Sequence, residues 1–165
     1  MTESPIVKRV EKAKGIFRSE RARILAAPDV RRLLHRYDAA IAHTRETMRQ
    51  TRVIEECTRC AEKSGSCCFQ EVETWYDGIS LFINLLLGAA LPQQYELPGQ
   101  CLFLGQEGCK LRARYAFCLN YLCPTLKGRL GPDLLRHVLA AVGHELEAGW
   151  ALEQTLYRRL KGSFG

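Results

Sequence analysis

The chain has no apolar run long enough to cross a bilayer. The longest, ISLFINLLLGAAL (79–91), is 13 residues and contains Asn84, against the roughly 20 that a spanning helix needs. Its first 25 residues carry charges every two or three positions with no apolar central run, so no secretory signal is expected. Absent too are the G-x-S-x-G, H-E-x-x-H, Walker and G-x-G-x-x-G patterns, which removes the recognisable fingerprints of hydrolases, metallopeptidases and nucleotide binders. The radical-chemistry spacing C-x-x-x-C-x-x-C does not occur. There is no internal repeat and no low-complexity tract.

Cysteine is missing from both ends. None precedes Cys57 and none follows Cys123, yet eight lie between them, in CTRCAEKSGSCC (57–68) and CLFLGQEGCKLRARYAFCLNYLCP (101–124). In a reducing cytoplasmic setting, which the lack of a signal leads one to expect, clustered thiols point to metal ligands or redox groups before structural disulfides. In an exported chain the same eight could form four bridges, with a pairing that spacing does not fix. A thioredoxin-like use of Cys57 and Cys60 would need a βαβ setting, and the surrounding pattern is helical.

Charge is also one-sided. Residues 1–52 hold 13 Lys and Arg against 6 Asp and Glu, whereas residues 53–165 hold 11 against 12. A basic first third can serve nucleic acid or an acidic partner. Here opposite charges are interleaved throughout and aromatics are not, as on an ordinary solvated helix face.

At 165 residues, with 47% hydrophobic and 25% charged content, one domain is expected. Its parts are a basic helical segment (1–56), a cysteine-cluster region (57–124) and a C-terminal helix (125–165). Ser4-Pro5 reads as a helix start and Pro28 as a second. Ile6, Val10, Ala13, Phe17 and Ile24 recur at helical spacing over about 5–26. Val30, Leu34, Tyr37, Ile41 and Met48 do so in a second helix that could reach Cys57 and Cys60. AEKSGS (61–66) reads as a loop. A third helix is expected over 71–90, the most buried one, since it is apolar over much of its circumference. LPQQYELPGQ (91–100) is a connection, 101–109 a short hairpin or turn with Gly105 and Gly108, and 112–122 a short helix stopped by Pro124. Gly131-Pro132-Asp133 opens a last helix to about 161, with Leu135, Leu139, Val142, Leu146, Trp150, Leu156 and Leu160 as its apolar stripe. The fold class is all-α: a helical bundle holding a cysteine-rich metal-binding insertion, with one small β-hairpin allowed.

The chemistry sits in the thiols. A two-residue spacer folds back as a turn or helix end, so Cys57 and Cys60 can share one metal, and Cys67-Cys68 follow six residues later. Cys101, Cys109, Cys118 and Cys123 add spacers of seven, eight and four. Four sulfurs satisfy a tetrahedral zinc or one four-iron cluster. Eight would suit two centres, one polynuclear centre, or one centre with bystanders. Arg112 and Arg114 lie between ligand cysteines and could offset a cluster's negative charge. Leu102, Phe103, Tyr115, Phe117, Tyr121 and Leu122 make the surroundings apolar, which suits an iron–sulfur cluster. Zinc needs fewer assumptions. Asn84 and Asn120 interrupt apolar runs and suggest structural hydrogen bonding. His35, His43, His137 and His144 read as surface or bundle-edge residues; His137 and His144 share a helix face, and one could complete a metal shell.

This pattern resembles the CxxCxxCC (YkgJ-type) cysteine-cluster proteins, described as zinc- or iron-chelating domains. The resemblance covers about residues 57–124. Cys101, Phe103, Leu104, Gly108, Cys109 and Leu111 match one part of the family pattern, and Arg114, Cys118 and Tyr121 another. The spacer before Cys67-Cys68 is six residues where the family has two. Tyr115 and Leu119 replace a proline and an arginine, and Cys123 is additional. The resemblance implies chelation of zinc or iron and no particular reaction. Three functions stay open, with a protein partner possible: a metal- or cluster-binding protein, an iron–sulfur enzyme or enzyme subunit that modifies protein or small molecules, and a nucleic-acid binder with a structural metal and a basic N-terminal helix pair.

Overall fold

The computed structural model describes residues 4–64 and 67–164, with the backbone alone at 60–64. Prolines set the first two helices, as expected. Helix α1 is Pro5–Ala26 and α2 is Pro28–Gln50. Ala27 between them is extended (φ −75°, ψ 120°), the conformation that a following proline ring imposes on its predecessor.

Helix α2 stops short of the cysteines. Arg52 turns the chain through a φ of 62°, a left-handed geometry costing a residue with a side chain about 1 kcal/mol. Helix α3 then restarts over Val53–Ser64. Cys57 and Cys60 therefore belong to a separate helix and not to the last turn of α2. Helix α3 takes in 61–64 of the expected loop; Gly65 and Ser66 lie outside the described residues.

The expected helix over 71–90 is also divided. Gln70–Trp75 form a 3-10 turn, and α4 begins only at Gly78 and ends at Leu86. Asp77 makes the division: its Oδ1 accepts a hydrogen bond from Ser80 N at 2.8 Å, capping a new helix. The apolar periodicity runs through the break because Val72, Tyr76, Ile79 and Phe82 are all buried. The hairpin at 101–109 forms, as β1 (Leu104–Gly105) antiparallel to β2 (Gly108–Cys109). Helix α5 is Ala116–Asn120. Helix α6 starts earlier than expected, at Pro124, and runs to Arg159 with a kink at Gly131 (φ 71°, ψ 172°). Only glycine adopts that conformation without strain.

Helices α2 and α6 lie antiparallel. Asp29 pairs with Arg159 at 2.8 Å, Arg36 with Glu147 at 2.9 Å, and Thr44 Oγ1 donates to Ala141 O at 3.2 Å. One core cluster joins α2, α4 and α6 through Val30, Tyr37, Phe82, Leu152 and Leu156. A second seats α1 on the cysteine-rich region through Ile6, Val10, Tyr76, Leu102, Phe103 and Leu111. A third packs Met48, Leu119, Leu126 and Val142. Each fully buried Phe or Leu contributes about 1.5–3 kcal/mol, so the cysteine-rich region supplies core to the fold.

The expected stripe of α6 is corrected at two places: Leu139 is 40% and Trp150 63% exposed. The inward face carries Val138, Ala141, Val142, Glu145, Ala148, Gly149 and Leu152 instead. Gly149 is inside because the Tyr37 ring rests on it; a Cβ there would stand 2.8 Å from Tyr37 Cζ.

Candidate metal centre

Four of the eight cysteines, drawn from three stretches of chain, meet in one neighbourhood. Cys68 and Cys101 are tied through the backbone, Cys101 N donating to Cys68 O at 2.9 Å beside the Phe69–Gln100 bridge. Glu73, 3% exposed, holds the same loop: its Oε2 accepts from Leu102 N at 2.7 Å and its Oε1 from the Tyr95 hydroxyl. The hairpin then reverses the chain so that Cys109 returns opposite Leu104.

Asn84 fixes the next step. From the middle of α4 its amide accepts from Arg112 N (2.9 Å) and Ala113 N (3.0 Å) and donates to Ala113 O (2.9 Å). This is the structural role expected of a buried amide. Asn120, by contrast, is exposed. Tyr115 N donates to the Tyr76 hydroxyl at 2.8 Å, and that hydroxyl donates to Cys118 Sγ at 3.8 Å. Helix α5 thereby presents Cys118 to the other three.

Cys101 lies within electrostatic reach of Cys109 and Cys68, and Cys118 within reach of the same two. Burial pushes the Cys101 thiol up to about 12. It raises Cys109 and Cys118 as well, with the Arg114 guanidinium acting in the opposite direction on both. Burial thus favours the protonated form of all three thiols. Among the described residues, no group of three or more His, Cys, Asp or Glu side chains is arranged to hold a metal ion. The four sulfurs share a neighbourhood, not a point.

Cys57 on α3 is exposed, as is Cys67; the Cys60 side chain lies outside the described residues. Cys123 Sγ accepts from Leu126 N at 3.4 Å, capping α6, and packs in the third core cluster. Arg112 pairs with Asp38, while Arg114 reaches Met48 Sδ at 3.8 Å and its charge bears on Cys109 and Cys118, with Arg45 also acting on Cys109. His35, His43, His137 and His144 are all exposed.

Sequence reasoning missed Tyr76 and Glu73. Both lie where one continuous helix was expected, and the 3-10 turn and cap that aim them depend on reading Asp77 as a helix start. Asp77-Gly78-Ile79-Ser80 did carry that signal. Around the site Phe69, Trp75, Tyr115 and Tyr121 are 38–48% exposed. They are linked through Phe117, which stands 5.1 Å from Trp75 and 5.0 Å from Tyr121 between ring centroids. Compared with family models, curated proteins and solved structures, the chain matches none of them.

Proposed function

We propose that this chain binds an inorganic centre, an iron–sulfur cluster or a zinc ion, through Cys68, Cys101, Cys109 and Cys118, in a compartment that keeps thiols reduced. The observation that carries this reading is that Cys68, Cys101, Cys109 and Cys118, from three chain segments, share one neighbourhood walled by Tyr76, Phe103 and Leu111. The donor set fits the group: soft sulfur ligands select zinc or iron–sulfur over magnesium or calcium. Arg114 supplies a positive charge that would offset thiolate charge. An iron–sulfur cluster would bring one-electron transfer, and zinc a structural tie.

Within this reading the chain's own residues do three things. The Glu73 and Asn84 side chains fix the two loops that deliver Cys101 and Cys109–Cys118. Tyr76 directs a hydroxyl at the Cys118 sulfur, a contact of the kind that tunes sulfur-ligated centres. The apolar wall limits water. This ligand set takes four of the cysteines that carry the resemblance to the CxxCxxCC family.

The nucleic-acid reading gains nothing from the geometry. Arg23, Arg36, Arg49 and Arg52 of the basic first third pair with Glu20, Glu147, Glu46 and Glu55. Elemental analysis of protein purified anaerobically and kept reduced tests the metal reading. Iron with acid-labile sulfide and a brown colour is expected for the cluster, and stoichiometric zinc in colourless protein for the ion. Protein that holds neither, even after reconstitution, overturns it.

A further inference from the structure

Tyr76 also lines a cavity. Its volume is about 520 Å³, and it opens between the 3-10 turn, the start of α4, the 113–116 segment and α6. That volume suits a drug-sized organic molecule and exceeds what a bare ion needs. We propose that it binds a small organic ammonium ion, held by the aromatic faces of Trp75, Tyr115 and Trp150 and by the carboxylates of Asp77 and Glu153.

The walls are large rings left open to solvent. Trp150 is 63%, Tyr115 40% and Trp75 38% exposed, and Trp75 and Tyr115 lie 5.6 Å apart, tilted by 46°, as one surface. Aromatic area gathered in a concavity, not scattered singly, is the kind that marks a binding site. Ring faces attract cations, most strongly when the pair is shielded from water.

The two acids differ in how far they are engaged. Asp77 is fixed: Oδ1 caps α4 and Oδ2 accepts from the Tyr157 hydroxyl. Glu153 is half-buried and makes no hydrogen bond or ion pair among the described residues. Burial and, after it, the charge of Asp77 raise its carboxyl above the usual range. A cation between these groups would offset their mutual repulsion and favour the ionised form of Glu153. Arg114 also lines the cavity, but its guanidinium reaches Met48 Sδ and its charge bears on Cys109 and Glu145. The acids therefore set the sign of the ligand. The site stands whether or not the thiols hold a metal.

The chain has 2 tryptophans, Trp75 and Trp150, and both line the cavity, so intrinsic fluorescence reports its occupancy. Three probes share one skeleton: 2-phenylethylammonium, neutral 2-phenylethanol and anionic phenylacetate. The expected result is a saturable change with the ammonium, and binding of the other two weaker by roughly tenfold or more. Glu153→Gln, which keeps side-chain shape, weakens the ammonium by roughly fivefold and leaves the alcohol unchanged. Trp150→Ala, at an exposed position, weakens the ammonium without lowering the melting temperature. The proposal is overturned if the ammonium gives no saturable change, if the alcohol or anion binds as tightly, or if Glu153→Gln has no effect.

Discussion

The Tyr76 hydroxyl donates to Cys118 Sγ at 3.8 Å while accepting from Tyr115 N at 2.8 Å. One phenol thus joins the thiol neighbourhood to the rim of the aromatic cavity, and it is 2% exposed. Burial and the neighbouring Cys118 both hold its proton on, so it acts towards sulfur as a donor.

Tyr76→Phe keeps the ring and removes that donor. Stability should fall by about 1 kcal/mol, as for a hydrogen-bonded pair lost without a cavity, measured by urea unfolding. Protein carrying a cluster should also shift its reduction potential, because hydrogen bonds to sulfur help set it. An unchanged potential would mean that Tyr76 only supports Tyr115.

Replacing cysteines one at a time separates ligands from bystanders. Cys68→Ser, Cys101→Ser, Cys109→Ser and Cys118→Ser should each lower bound metal and the melting temperature, because metal binding contributes to folding. Cys123→Ser should keep its metal and alter stability by no more than about 0.5 kcal/mol, since serine is a preferred helix cap. Metal loss from Cys123→Ser, with retention in Cys118→Ser, would refute this assignment.

Glu145 gives a pH prediction. It is 1% exposed and neither carboxyl oxygen has a hydrogen-bond partner among the described residues; the Thr44 hydroxyl donates to the Ala40 and Ala141 carbonyls. Burial raises its carboxyl above the ordinary 4.5, opposed in part by the charges of Arg114 and Arg45. A raised folded value means that the native state holds a proton which the unfolded chain releases. That stabilisation is complete below 4.5 and is lost as pH rises through the folded value. Glu145→Gln should therefore flatten the fall of the melting temperature as pH rises above 4.5, and raise the melting temperature where Glu145 is ionised in the folded state. A parallel pH profile in the variant would show that Glu145 does not titrate with folding.

Two glycines of α6 should respond with opposite signs. A Cβ added at Gly143 would meet nothing within 4 Å, so Gly143→Ala should stabilise by up to about 1 kcal/mol through helix propensity. At Gly149 the same propensity gain meets the Tyr37 ring at 2.8 Å. Overpacking costs about 1–3 kcal/mol, so Gly149→Ala should be neutral to destabilising. Thermal melts of the two single variants decide this.

The two long N-terminal helices were legible because their signals are local. Pro5 and Pro28 start them, and no distant contact can lend proline a backbone N–H. The hairpin at 101–109 was legible for a similar reason, with Gly108 taking the φ of 102° that its turn needs. Helix α6 was legible as a helix but not in its facing. Once Gly131 bends the axis and Tyr37 occupies the space over Gly149, Trp150 turns to solvent and Glu145 turns inward, against their hydropathies.

By itself, then, the sequence determined an all-α chain with its thiols confined to one stretch, because helix periodicity, proline geometry and cysteine placement are properties of neighbouring residues. Only the tertiary structure decided that four of these cysteines share a neighbourhood. Cys68, Cys101, Cys109 and Cys118 are brought together by side-chain bonds from Glu73, Asn84 and Tyr76 that span 28 to 42 residues, and no local pattern encodes a hydrogen bond across that distance. The aromatic cavity has the same origin, since its walls come from segments that approach one another only when α6 packs back along the chain.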